Sequence, residues 1–258
     1  MSKIYHILRA DPAGNITVFV LDDVPLDERP QVAKAIMKKA WLRCEQVGFI
    51  CPPQQGGDGR MEMAGGEFCG NATRAYGAWL AKQQQRYGRF SVEVSGCDHP
   101  VSVWVDHDTA EAEMPLPLYI QPKTVNGLQC TLVHLGGIAH LVAEYILPDL
   151  SFFEAAEPYL ASIGSLDAYG VIFLSGDRLT PLVKVPATGA LIWEGSCGSG
   201  TVAAAIVQSS IVTNGVFSAS YCQPDGDITA RITRENGKPV SATIGGSIRF
   251  NAPMEIEL

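Results

Sequence analysis

The strongest constraint in this sequence is a short pattern that occurs twice. The first copy reads Gly66-Glu67-Phe68-Cys69-Gly70-Asn71-Ala72-Thr73, and the second Glu194-Gly195-Ser196-Cys197-Gly198-Ser199-Gly200-Thr201. Each has a carboxylate shortly before a Cys-Gly pair, and each runs into small and apolar residues that predict a helix start. Each cysteine therefore falls at a helix N-terminus, where free N–H groups and the positive dipole end favour a thiolate. The glycines allow the backbone to come close to a ligand. One such motif in isolation is better explained by a packed thiol. Two in one chain imply two similar halves facing each other.

The chain has 258 residues, 47% hydrophobic and 18% charged, enough for a sizeable core in one or two domains. A formal net charge of −8 and the lack of any Lys/Arg run argue against nucleic acid or an acidic membrane as partner. No apolar run approaches the roughly 20 residues of a membrane span. The start, Met1-Ser2-Lys3-Ile4-Tyr5-His6, has no secretion-leader pattern. Seven dispersed cysteines do not make a disulfide framework, so reduced thiols and a cytoplasmic location are expected. Cys44 and Cys51 are not spaced as zinc ligands and the histidines are scattered singly, so no metal is assigned.

Along the chain, alternation predicts strands at 4–8 and 16–21, with a turn at Asp11-Pro12-Ala13-Gly14-Asn15 that Asn15 would cap. Pro30 opens a helix, and a strand with polar first residues follows from Cys44. A meander runs through 90–95, 101–105 and 111–114, and Pro115-Leu116-Pro117 reads as a crossover. The second half opens with a hairpin at 129–135 and 138–145. A helix is predicted at 152–163, with Pro158 as a kink, then strands at 171–174, 182–185 and 190–193. The helix after Cys197 is apolar almost all round and must be buried on every side. Further strands fall at 216–222, 227–232, 242–244, 248–250 and 255–257. Each half is many strands around one buried helix, an α+β pattern.

The paired Cys-Gly motifs resemble the cofactor-independent racemases and epimerases of the diaminopimelate epimerase superfamily, which includes proline racemase and the phenazine-biosynthesis isomerase-like proteins. Within it the chain is similar to the histidine racemases of staphylopine-type metallophore pathways. The resemblance rests on the 44–50 string from Cys44 to Ile50, the first motif, Val94-Ser95-Gly96-Cys97, and 191–201 around the second motif. It implies two similar lobes, each a curved, mostly antiparallel sheet around a central helix, with the active site in the cleft between them. The first lobe would span 1–117, with 245–258 returning to it, and the second 118–244. Cys69 and Cys197 would be the catalytic pair, with no cofactor. Asn15, Glu45, Gln46, Gly70, Asn71, Gly198 and Ser199 would contact substrate. The expected partner is a small amino acid; a homodimer stays open.

Inverting an α-carbon without a cofactor needs a base on one face and an acid on the other. A thiolate and a thiol suit this, because each can take either role near neutral pH. Backbone N–H groups at the two helix starts can hold the α-carboxylate and the charge growing on it. The family's diaminopimelate-binding groups are absent: Gly137-Ile138-Ala139-His140 carries no Asn-Pro, and Pro186-Ala187-Thr188-Gly189 has no Glu-Arg pair. Inversion of L-histidine to D-histidine for metallophore biosynthesis is the expected activity. A racemase or epimerase for another amino acid, such as diaminopimelate or proline, and a non-catalytic dithiol redox or binding protein remain as alternatives. Glu194 either orients substrate or only ends a strand. The resemblance puts His140 where the family places pocket residues, but on its residues alone it is read as a satisfied core histidine.

Overall fold

A computed structural model describes residues 3–258. Of the N-terminal stretch read above, Met1 and Ser2 lie outside the described residues. The chain forms a sheet-rich α+β fold with two compact units. One runs to Glu113 and takes in Gly245–Leu258; the other is Met114–Ile244.

The first unit opens with β1 (Ile4–Asp11), β2 (Thr17–Val20), helix α1 (Arg29–Met37), β3 (Gln46–Cys51) and β4 (Gly59–Met63). Helix α2 (Gly70–Gln84) follows, then β5 (Gly88–Val94), β6 (Val101–Asp106) and β7 (Thr109–Glu113). β1 pairs antiparallel with β2, β3 with β4, β5 with β6 and β6 with β7; β2–β3 and β4–β5 are parallel. The alternation in β1 sends Tyr5 and Ile7 inward and leaves Ile4 and His6 exposed. Small residues let α2 be surrounded: Ala72, Ala75, Ala78 and Ala81 are buried in a core with Leu8, Phe19, Met61, Phe90, Val92, Val103 and Ala110. Phe68 and Cys69 pack against that core. A second apolar layer, with Val32, Ala33 and Ile36 of α1, lies against Val18, Val20, Val47 and Phe49.

The second unit contains β8 (Tyr119–Val125), β9 (Leu128–His134), β10 (Ile138–Glu144), helix α3 (Leu150–Ala161), β11 (Ala168–Ser175), β12 (Arg178–Val185) and β13 (Ala190–Trp193). Helix α4 (Gly198–Gln208), β14 (Gly215–Gln223), β15 (Gly226–Glu235) and β16 (Lys238–Ser247) complete it, the last three residues of β16 belonging to the first unit. β8 through β13 pair in chain order, all antiparallel except β10–β11. The residues from Gly200 to Ile206 of α4 are all buried, as its apolar sequence requires. The chain then closes with β17 (Arg249–Phe250) and β18 (Met254–Glu257), both antiparallel to β1.

Three local expectations change. β8 has no counterpart in the sequence reading, because it carries Pro122 and its residues are mostly exposed, which weakens both strand signals. The 242–244 strand is the inner part of the longer β16. Asn15 does not cap the 11–15 turn: Asp11 Oδ1 accepts from the Gly14 N–H at 2.8 Å, which releases the Asn15 side chain for other partners.

Candidate active site: two capping cysteines

Cys69 and Cys197 are the N-cap residues of α2 and α4. Their backbones nearly coincide, at φ −127°, ψ 109° and φ −130°, ψ 110°. In each the sulfur takes the place of the usual capping oxygen. Cys69 Sγ accepts from the Ala72 N–H at 3.4 Å, and Cys197 Sγ from the Gly200 N–H at 3.4 Å. A threonine one turn on locks each cap. Thr73 Oγ1 donates to the Cys69 carbonyl at 2.8 Å, and Thr201 Oγ1 to the Cys197 carbonyl at 2.6 Å. The full repeated motif is therefore Cys-Gly-x-x-Thr. The threonines were visible in the sequence and were not singled out.

A glycine lies beside the approach to each cysteine, and the one before Cys97 tolerates no side chain, whereas a side chain at Gly195 would require Asp225 to move. Gly96 has φ +75°, and a Cβ on it would fall 2.4 Å from the Phe68 backbone nitrogen. The neighbouring Ser95 Oγ donates to the Glu67 carbonyl at 2.8 Å and accepts from the Met63 N–H at 2.9 Å. The Val94–Cys97 string thus supports the loop that delivers Cys69. In the second unit a Cβ on Gly195 would fall 2.0 Å from Asp225 Oδ2. Gln223 Oε1 accepts from the Cys197 N–H at 2.8 Å, and its Nε2 donates to Thr201 Oγ1 at 2.9 Å.

Around Cys69 the near partners are donors. Gln46 Nε2 lies 3.2 Å from the sulfur, 2.5 Å from Asn15 Oδ1 and 2.9 Å from Thr17 Oγ1. Asn15 Oδ1 is farther from the sulfur, at 3.9 Å, and Asn15 Nδ2 donates to Glu45 Oε2 at 3.0 Å. Asn15, Glu45, Gln46 and Cys69 therefore form one connected group. The Asn71 backbone also reaches the sulfur. The Asn71 side chain turns into the core, where its Oδ1 accepts from Arg74 Nε at 3.1 Å.

Around Cys197 the set is different. Burial first, and then the Glu194 carboxylate, push the Cys197 thiol up. Ser199 Oγ lies 3.5 Å from the sulfur and 2.8 Å from His140 Nε2. His140 is fully buried and its Nδ1 has no partner, so it is not the satisfied core histidine expected from the sequence. Burial pushes its pKa down to about 3, so it is neutral. An orphaned lone pair is less costly than an orphaned N–H, which places the ring proton on Nε2, donated to Ser199. The Ser199 hydroxyl is then free to donate to the Cys197 sulfur. The resemblance already put His140 among the pocket positions, but a lone histidine on a strand favoured the core reading, because its contact with Ser199 depends on β10 lying beside α4.

The thiolate preference expected at a helix start is overturned. Burial pushes both thiols up, Cys69 against the opposing pull of the Ala72 N–H and the Gln46 amide. Cys197 rises well above the ordinary range, through burial first and then Glu194. Desolvation of a small anion outweighs one or two hydrogen bonds here. All seven cysteines are free, and no cluster of His, Cys, Asp or Glu among the described residues could hold a metal ion. Among the described residues no helix is long and apolar enough to cross a membrane.

The chain is similar in sequence and in fold to known proteins. A histidine racemase of Fusobacterium nucleatum is 31% identical over 218 residues, covering 78% of this chain and 79% of its own. One from Staphylococcus aureus is 29% identical over 264 residues, covering 95% of both. Among solved structures, a hydroxyproline epimerase of Agrobacterium vitis shares the fold with TM-score 0.63 at 12% identity, covering 99% of this chain and 93% of its own. A phenazine biosynthesis protein PhzF family member of Enterococcus faecalis does so with TM-score 0.59 at 15% identity, over 100% of both chains. The profile described as "Histidine racemase CntK N-terminal domain" matches residues 5–254, and the chain belongs to that histidine racemase family.

Proposed function

We propose that this protein inverts the α-carbon of histidine, L to D, with Cys69 and Cys197 as a cofactor-independent acid–base pair, for metallophore biosynthesis. Membership of the family makes it an amino-acid racemase, an isomerase acting on a small amino acid. The observation that carries the two-cysteine mechanism is the matched pair of capping sulfurs. Two thiols on separate helices share one backbone geometry, one N–H donor position and one threonine lock.

In this proposal Cys69 and Cys197 address opposite faces of the substrate α-carbon. One thiolate removes the Cα proton and becomes a thiol. The other thiol delivers its proton to the opposite face and becomes the thiolate. The two sites titrate as a pair, and each turnover exchanges their roles. The N–H groups of Gly70, Asn71, Gly198 and Ser199 at the helix starts hold the α-carboxylate and the negative charge that grows on it. Asn15, Glu45, Gln46 and Glu194 supply polar contacts for the ammonium and the imidazole. An imidazole can be neutral and needs only one or two hydrogen bonds, whereas the charged distal end of diaminopimelate would stay unpaired. Seven free cysteines fit action in the reducing cytoplasm.

The test is incubation in heavy water without added cofactor, with chiral chromatography over a panel of L-amino acids. Histidine should racemise with deuterium at Cα. If proline or diaminopimelate turned over faster, the substrate would be wrong; if no amino acid exchanged its α-proton, the activity would be.

A further inference from the structure

Gln223 is the last residue of β14 and is buried. Its carboxamide meets the Cys197 cap at two points. Oε1 accepts from the Cys197 N–H at 2.8 Å, and Nε2 donates to Thr201 Oγ1 at 2.9 Å. Thr201 Oγ1 donates in turn to the Cys197 carbonyl at 2.6 Å. The three bonds close a ring that begins and ends on the backbone of Cys197. Cys197 and Thr201 are buried as well, so water does not compete for these groups, and a partner lost here leaves a buried polar atom unpaired.

The ring runs in one direction. A threonine hydroxyl has a single proton, and here the Cys197 carbonyl takes it. Toward Gln223 that hydroxyl therefore accepts, which puts Nε2 on its side and Oε1 on the Cys197 N–H. The position asks for an acceptor and a donor on one rigid plane. A carboxamide supplies both, whereas a carboxylate supplies acceptors only. The same turn makes a second tie, because the Asp225 N–H donates to the Gly195 carbonyl at 2.9 Å. The turn between β14 and β15 thus grips the chain at Gly195 and again at Cys197, just before α4 begins. In the first unit the tie falls elsewhere: Ser95 Oγ holds the Glu67 carbonyl, two residues ahead of Cys69.

We propose that Gln223 is a positioning residue for Cys197, whose carboxamide ties the N–H and the carbonyl of the cysteine together and so holds its sulfur in place for proton transfer. The inference rests on the two-cysteine reading and adds a residue to it. Cys197 has extended backbone, φ −130° and ψ 110°, immediately before a helix. Rotation about that ψ would swing the sulfur away from the Gly200 N–H that it caps, and the ring resists the rotation. A sulfur misplaced by 1 Å costs about 100-fold in rate. The first N–H groups of α4 are set by the helix itself, so substrate binding through them does not depend on the ring.

The test is histidine racemisation by Gln223→Met, a side chain of similar length that neither accepts nor donates as the amide does. kcat should fall roughly ten-fold with KM within about two-fold. In heavy water the loss should fall on one face. Labelling should slow for the enantiomer that Cys69→Ser still labels, which Cys197 serves, and not for the one that Cys197→Ser still labels. Equal slowing of both enantiomers, or an unchanged kcat, would reduce Gln223 to packing. If Gln223→Met does not fold, Gln223→Asn, one carbon too short to span both partners, takes its place with the same outcomes. A second readout needs no substrate: alkylation with iodoacetamide across a pH series, each cysteine quantified by mass and its pH midpoint read. Gln223→Glu brings a negative charge to the Cys197 N–H, so it should raise the Cys197 midpoint and leave that of Cys69 in place. An unmoved Cys197 midpoint would mean that the side chain does not reach the cap and would overturn the proposal. Failure of the two-cysteine reading looks different, because Cys197→Ser would then racemise normally. Failure of this inference alone leaves Cys197→Ser inactive and Gln223→Met at full rate.

Discussion

Cys69 and Cys197 sit on nearly identical backbone, and burial first, with a nearby carboxylate (Glu67 or Glu194), pushes both thiols up, but the polar groups that touch the two sulfurs differ. The cap dihedrals agree within a few degrees, and both sulfurs take an N3 amide at 3.4 Å. Beyond that frame the neighbours diverge. Cys69 meets the Gln46 amide and the α2 backbone. Cys197 meets the Glu194 carboxylate and a serine backed by a neutral histidine. Backbone geometry decides where each sulfur sits. Side chains from other elements decide which sulfur gives up its proton more easily. A pair that must hold one proton between two sites needs both features.

The largest expected effect removes the comparison altogether. Cys69→Ser and Cys197→Ser should each cut histidine racemisation by at least about 1,000-fold, with far-UV circular dichroism unchanged. The surviving cysteine can still exchange the proton on its own face, so in heavy water each variant should label one enantiomer only, and the two should label opposite ones. Near-normal racemisation in either variant would end the two-base mechanism.

A smaller effect should follow from the polar group beside Cys69. Glu45→Ala leaves Asn15 Nδ2 without its acceptor and removes a carboxylate from the proposed imidazole or ammonium contact. We expect kcat/KM for histidine to fall about 10–100-fold, the loss of one charge-assisted hydrogen bond. Steady-state kinetics checks this, and unchanged constants would take Glu45 out of the site.

The next perturbation sharpens the contrast. Glu194 is the second cause, after burial, of the raised Cys197 thiol. Glu194→Gln should move the Cys197 alkylation midpoint to lower pH and leave that of Cys69 in place. A shift of both midpoints together would mean that the two sites do not titrate through separate neighbours.

His140 gives the smallest effect, on stability. Its folded pKa, about 3, is below the ordinary value of 6.5, so the unfolded chain binds a proton that the folded one refuses. The stability tied to this group is complete above pH 6.5 and is lost as pH falls toward 3. Between pH 6.5 and 5.5 the loss should be about 1 kcal/mol, close to the limit of one proton per pH unit. Urea midpoints for wild type and His140→Gln should show it, with the variant following a shallower slope. Parallel slopes would mean that the ring is protonated in the fold.

Much of this was legible in the sequence. The Cys-Gly echo gave the two helix starts, because capping and small-residue packing are local properties of consecutive residues. The apolar run after Cys197 required a helix buried on all sides, and α4 is one. Pro122 hid β8, since propensity describes a lone strand poorly when pairing with β9 supplies the stability. Asn15 looked like a turn cap because Asn commonly is one, and only the Asp11 side chain, by taking that role, freed it.

The sequence by itself determined where the two sulfurs would cap helices, what chemistry a pair of thiols could perform, and that one chain held two versions of one device. Tertiary structure decided everything about their protons. Gln46 reaches Cys69 because β3 runs beside the β2 end that carries Thr17. His140 reaches Ser199 from a strand 59 positions earlier. Burial then reversed the sign of the thiol shifts that the helix starts alone would have given. Desolvation and long-range charge depend on what surrounds a group in three dimensions, and local sequence holds no record of that.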